Sequence, residues 1–214
     1  MLGRALRHAA SVTISGDRSQ QIDPDACFTS WERALDDLEL GQSQAVQLRT
    51  SYRCPAPITA FAHQLLGPLA PAEMPTPSKD GVPVLRSCHP TEAHAAHELV
   101  LALSDLLRRE PGTTVAVIAR DREAAARLHR ALERSIPVRL VRMGEFSFTP
   151  GIDVTDVSQV KGLEFDVVVI PDATPGRYPD EPDARRKLHV ACTRAIHQLW
   201  VMAVGQPSPI LPAL

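Results

Sequence analysis

None of the four cysteines, Cys27, Cys54, Cys88 and Cys192, sits in a C-x-x-C pair or beside a histidine at zinc spacing in this chain of 214 residues. That scatter excludes a disulfide framework and a structural zinc site, and it predicts a reducing, cytoplasmic setting. No apolar run approaches membrane-spanning length, and the opening "MLGRALRHAASVTISGD" has no signal-peptide core, so neither a membrane partner nor export is expected. Excess basic charge is also missing. A formal net charge of -2 leaves no basic coat, so any contact with a polyanion has to be local. There is no internal repeat and no G-x-x-x-x-G-K-[ST], the loop that cradles nucleotide phosphates.

What is present is enough apolar residue, 44%, to bury one sizeable core or one core with a small appendage. Short β-branched runs predict strands at 11–16, 45–52, 82–87, 113–119, 138–143, 165–170 and 198–204. Between them "ITAFAHQLLGPL", "EAHAAHELVLALSDLLRRE" and "REAAARLHRALERS" repeat apolar residues three and four apart, the period of a half-buried helix. Strands alternating with helices predict an α/β fold, a mostly parallel sheet with helices on both faces. Prolines gather at joints: Pro55 and Pro57 open a helix, and "GPLAPAEMPTPSKDGVP" (67–83) reads as a loop within one domain.

Four stretches carry chemistry. In "ISGDRSQQI" a strand delivers Gly16, Asp17 and Gln20 toward its carboxyl end, where open α/β sheets place ligands; Gly-Asp by itself is equally a plain turn. "LRTSYRCPAPI" places Tyr52 and Arg53 just before a helix, an aromatic able to stack beside a planar bidentate cation, or else a half-buried ring beside a solvated one. In "VSQVKGLEFDVVVI" Lys161 and Gly162 occupy a bend, Glu164 follows, and the apolar run reads as a central parallel strand. Glycine there admits close approach of backbone to phosphate, and the carboxylate can accept from ribose hydroxyls. In "DARRKLHVACTRAIHQLWVMAV" a helix turns Leu188, Ala191, Cys192 and Ala195 to the core and leaves Lys187, Val190 and Arg194 on another side. Arg185, Arg186 and Lys187 lie near the positive end of that helix, and Asp180, Glu181 and Asp183 are placed to compensate them.

The order GD-x-x-Q, a strand ending Tyr-Arg, V-K-G-L-E-F-D-V-V-V-I and V-A-C-T-R-A resembles motifs III to VI of the UvrD/Rep-type superfamily 1 helicases. The resemblance implies a RecA-like domain lacking the P-loop itself, and an ATP-dependent DNA helicase as parent. Residues 1–44 would be the end of the first RecA-like domain, carrying motif III, and 45–214 the second, carrying motifs IV, V and VI. It further implies ATP with Mg2+ as cofactor, the magnesium ligands lying in the first domain. Gln20 would sense the γ-phosphate, Tyr52 stack near the adenine, and Arg53 and Arg194 approach the γ-phosphate, Arg194 as the arginine finger. Glu164, Gly162 and Lys161 would contact the ribose and phosphates. Partners implied are single-stranded or forked DNA and the first RecA-like domain. The chain starts past the place of Walker A and Walker B, so alone it is expected to be inactive as an ATPase.

Departures bear on DNA. Asp25 stands where the family carries a base-stacking aromatic and Ser158 where motif V has a histidine, while Phe28 and Trp31 are expected to pack in the core. About a hundred residues separate motifs IV and V, too few for the large inserted subdomain of UvrD and Rep. That compactness resembles the HelD branch and leaves a second reading, a non-unwinding module that docks a protein such as RNA polymerase.

Overall fold

The computed structural model describes residues 13–212 apart from Pro24, Cys27, Gln42, Gln44 and Ala45. Its frame is a six-stranded sheet built from β3 (Leu85–His89), β4 (Thr114–Ala119), β5 (Val138–Leu140), β6 (Gly151–Asp156), β7 (Phe165–Ile170) and β8 (Ala195–Val204). The spatial order is β3-β8-β7-β4-β6-β5 and every pairing is parallel. A separate pair joins β1 (Thr50–Ser51) to β2 (Thr76–Pro77), so the proline-rich 67–83 stretch is a loop with one short edge contact.

Helices cover both faces because the strands are apolar on both. Ala116, Ile118, Val168, Ile170, Leu199 and Val201 point toward α2 (Ala56–Leu66) and α5 (Pro182–Cys192), and all are buried. Val115, Val117, Ile152, Val154, Val169 and Met202 point the other way, toward α3 (Glu92–Arg109) and α4 (Arg122–Leu132). Helices α3 and α4 start where the sequence supplies a capping side chain, whereas α2 and α5 open on a proline with no side-chain cap. The Thr91 hydroxyl accepts from His94 N–H, and the Asp121 carboxylate accepts from Ala124 N–H at 2.8 Å, each satisfying a donor that the first turn leaves open. In the short α1 (Trp31–Asp37) Ser30 does the same for Arg33 N–H. On the α2/α5 face, segments 141–150 and 157–164 complete the cover through Val141, Phe146, Val157 and Val160.

Several expectations need correction. The strand expected at 11–16 is absent over its described part: residues 13–16 are exposed coil, and a 3-10 turn follows at Arg18–Gln20; residues 11 and 12 lie outside the described set. An isolated strand without a neighbour has nowhere to place its backbone hydrogen bonds. The run 45–52, whose first residue is also outside the described set, pairs only at Thr50–Ser51. Strand β6 had no counterpart among the expected strands because Asp153 interrupts its apolar pattern. That carboxylate is buried opposite Arg139 on β5, in register and joined to it at 2.7 Å, so the pair neutralises itself inside the sheet. Helix α5 ends at Cys192 and Ala195 opens β8, which ends the helical pattern assumed through Ala195. Val190 and Arg194 are consequently buried and not on an outer side.

Candidate functional site

The connections entering β7 and β8 bring the motif residues together. Glu164 immediately precedes β7 and Arg194 immediately precedes β8, and the Phe165 N–H donates to the Arg194 carbonyl at 2.9 Å. Both therefore lie at the amino-terminal rim of a parallel sheet. Arg53, just past β1, reaches this rim and donates through Nε to Glu164 Oε1 at 2.6 Å. Cys54 next to it donates through Sγ to the Thr193 carbonyl at 3.4 Å, fastening the start of α2 to the end of α5.

Arg194 is the centre of the cluster and is 0% exposed. Its Nε donates to the Val190 carbonyl at 3.0 Å, one terminal nitrogen to the Leu163 carbonyl at 3.4 Å, and the other to Thr193 Oγ1 at 3.0 Å and Gln20 Oε1 at 3.3 Å. All four partners are neutral, and among the described residues no carboxylate comes within ion-pair distance of it. Burial, and next the nearby Arg53 guanidinium, push its pKa down from 12.5 to about 10. Such a guanidinium stays protonated at neutral pH but is under-compensated, and the site can accept an anion.

Gln20 is placed by its own turn. Asp17 accepts from Ser19 N–H at 2.8 Å and from Gln20 Nε2 at 2.9 Å, which aims the Gln20 amide oxygen at Arg194. Ile22 then anchors the segment in the same core as α2 and α5. His189 holds α5 against α2 by donating from Nδ1 to the Ala62 carbonyl at 2.9 Å, and burial lowers its pKa, keeping it neutral. Burial likewise raises the Cys54 and Cys192 thiols, so neither is a ready thiolate.

The remaining expected residues take their places around this core. Gly162 sits in the bend with φ +86, a left-handed conformation suited to glycine, and nothing lies within 4 Å of where a Cβ would stand. Lys161 beside it is exposed. Tyr52 is 73% exposed, which removes the half-buried reading of that ring. Arg185 and Lys187 are compensated by acids, Arg185 by Asp180 at 2.7 Å and Lys187 by Asp183 at 3.0 Å. Phe28 and Trp31 pack edge to face at 5.1 Å, half-buried, and Gly16 lets the Trp31 ring approach to 3.1 Å from its would-be Cβ. Sequence reasoning gave no role to Thr193, whose hydroxyl receives Arg194 while donating to the Val190 carbonyl at 3.0 Å; the Thr-Arg pair after the helix was its available signal.

Comparison with known proteins agrees with the fold. Residues 151–202, spanning β6, β7, α5 and most of β8, match the UvrD-like helicase C-terminal domain family. Among solved structures, the C-terminal domain of a possible DNA helicase from Lactobacillus plantarum WCFS1 aligns over 75% of this chain and 92% of its own, with 28% identity and a TM-score of 0.63. The Pyrococcus furiosus Hef helicase domain overlaps 51% of this chain and 26% of its own, with 14% identity and a TM-score of 0.37, a likeness too slight to build on. Comparison with curated proteins finds no match. The all-parallel sheet is thus a RecA-like fold, similar to a UvrD-like helicase C-terminal domain in sequence over residues 151–202 and in structure over three quarters of the chain.

Proposed function

We propose that this domain is the second RecA-like half of an ATP-dependent DNA helicase or translocase, and that its amino-terminal rim carries the charge-stabilising side of the nucleotide site. The supporting observation is Arg194, a fully buried guanidinium with only neutral oxygen partners and a second guanidinium, Arg53, close enough to lower its pKa. Arg53 has Glu164 as its partner but Arg194 has no carboxylate of its own, so the two cations share one anion, and a polyphosphate between them and a facing domain relieves the imbalance. ATP bound there supplies the transferable phosphoryl group. Arg194 and Arg53 offset the charge on its oxygens, Gln20 registers the phosphate through the bond it now accepts from Arg194, and Glu164 orients Arg53 and accepts from a ribose hydroxyl. Gly162 and Lys161 meet the phosphates, and the exposed Tyr52 ring offers a face to the base.

No group of three or more His, Cys, Asp or Glu among the described residues is arranged to hold a metal. By the resemblance to the helicase family, we assign the magnesium ligands to a Walker A domain of the parent, and the segment before residue 45, which brings Gln20, to the edge of that domain. Because Arg194 is fully covered, its approach to phosphate requires the Gln20 contact to open, which makes that contact the gate of the site.

The test is Arg194→Ala in the parent protein. Loss of an arginine finger lowers turnover by about 10³ to 10⁵, while ATP binding, measured separately with a fluorescent analogue, stays within a few-fold. Unchanged turnover would falsify the finger role and leave the protein-docking reading in its place.

A further inference from the structure

The loop 141–150 between β5 and β6 offers side chains to solvent at a backbone cost. Met143 has φ +53 and Phe148 φ +52, two of the three non-glycine residues in the left-handed region among the described residues. Both side chains point outward, Met143 88% exposed and Phe148 76% exposed. Left-handed backbone is unfavourable for any residue with a Cβ, and side chains left mostly in water, with only the edge contact of Phe148 on Phe146, return little for it. Glycine would be the better choice at both positions if only the fold mattered.

The loop is nevertheless firmly held. Val141 N–H donates to the Val154 carbonyl at 2.9 Å, and Gly144 N–H to the Gln159 side chain at 2.9 Å. The buried Phe146 ring lies 5.8 Å from Phe165 and 6.1 Å from Phe148. Arg139 reaches across to Thr149 Oγ1 at 2.9 Å and to the Pro150 carbonyl at 3.1 Å. A fixed loop that spends backbone energy to present two apolar side chains is pre-organised for something that covers them. Arg142, next to Met143, is exposed and forms no ion pair among the described residues, whereas Arg139 is committed to Asp153.

We propose that this loop is a grip for single-stranded DNA, with bases against Phe148 and Met143 and a phosphate on Arg142. A flat aromatic face, a flexible thioether and an unpaired guanidinium on one rigid edge are the chemistry that takes bases and backbone together without sequence preference. The inference rests on the helicase reading of the parent, since a translocating domain has to hold a strand. It assigns the stacking surface to a loop other than the one carrying Asp25, the position at which the sequence lacks the family's aromatic.

Because glycine relieves the backbone at both positions, Phe148→Gly separates the two explanations of the residue. The measurements are fluorescence anisotropy of a fluorescein-labelled dT20 strand at low salt without nucleotide, and thermal melting of the same proteins. The unmodified chain binds dT20, Phe148→Gly and Met143→Gly each weaken binding by about 5- to 150-fold, Arg142→Ala reduces its salt dependence, and neither glycine variant melts lower. Absence of binding by the unmodified chain overturns the proposal, as does equal affinity in the variants or a lower melting temperature for Phe148→Gly. Self-association of the chain that Phe148→Gly abolishes, without dT20 binding, would make the loop a protein contact and overturn it too. No nucleotide enters the measurement, so its failure leaves the Arg194 reading untouched.

Discussion

Replacing Arg194 by methionine keeps much of the volume and removes the charge, and the structure predicts that the chain becomes more stable. At 1.36 kcal/mol per pH unit, a pKa pushed from 12.5 to about 10 places the cost of holding this guanidinium charged in the fold at about 3 kcal/mol. The folded-state pKa lies below the unfolded one, so the penalty is full below about pH 10 and fades as pH rises toward 12.5. At pH 7 it is entirely present. Against it stand the lost hydrogen bonds. The Val190 carbonyl keeps its bond from Thr193, and the half-buried Gln20 oxygen can turn to water, but the Leu163 carbonyl loses its arginine partner, a cost of about 1–2 kcal/mol. The balance is about 1–2 kcal/mol in favour of Arg194→Met, or a rise in melting temperature of roughly 2–8 °C for a chain of this size. Thermal denaturation of both proteins at pH 7 decides it. An unchanged or lower melting temperature would refute the reasoning and make Arg194 a structural strut.

Two other perturbations follow from the same neighbourhood. His189 is neutral in the fold, whereas the unfolded chain takes up a proton as pH falls through about 6.5; stability is therefore lost as pH drops below that value. His189→Asn keeps a donor for the Ala62 carbonyl and removes the titration, so its urea midpoint should fall less between pH 7.5 and 5.5 than that of the unmodified protein; equal falls would show that burial of His189 is not the cause. Gly162→Ala meets open space but a left-handed backbone, so a destabilisation of about 1 kcal/mol with the fold retained is expected from urea unfolding, and a loss above about 3 kcal/mol would mean an unrecognised close contact.

The sheet was legible in the sequence where apolar residues run unbroken. The 113–119 run reads as a strand and 165–170 as a central parallel one, and Val115 to Ala119 and Val168 to Ile170 are buried within the sheet. β6 escaped because Asp153 looks like a surface residue until its cross-strand Arg139 is known, and pairing partners are a property of three dimensions. In the site, the types and order of Gln20, Arg53, Glu164 and Arg194 were readable, but their depth was not. A helical wheel carried through Ala195 turns Arg194 outward, whereas the chain leaves the helix at Cys192 and folds the guanidinium under the Gln20 segment. The carboxyl-end placement read for Gln20 fell with its strand, and the cluster that Gln20 joins forms at the amino ends of β7 and β8.

The strand order has a consequence for the chain as it is made. β8, last of the six strands to leave the ribosome, is inserted between β3 and β7, and β3 has no other neighbour in the sheet. Until β8 arrives, β3 with α3 is a tethered hairpin-sized piece without a ladder, and β7 shows an open, apolar edge of the sort that pairs with foreign strands. Arg194 is drawn into its buried place by the same late event, since β8 begins at the next residue. Closure of the sheet and assembly of the cationic rim are thus a single step of synthesis, and a nascent chain stalled before it would expose an aggregation-prone edge and carry no site.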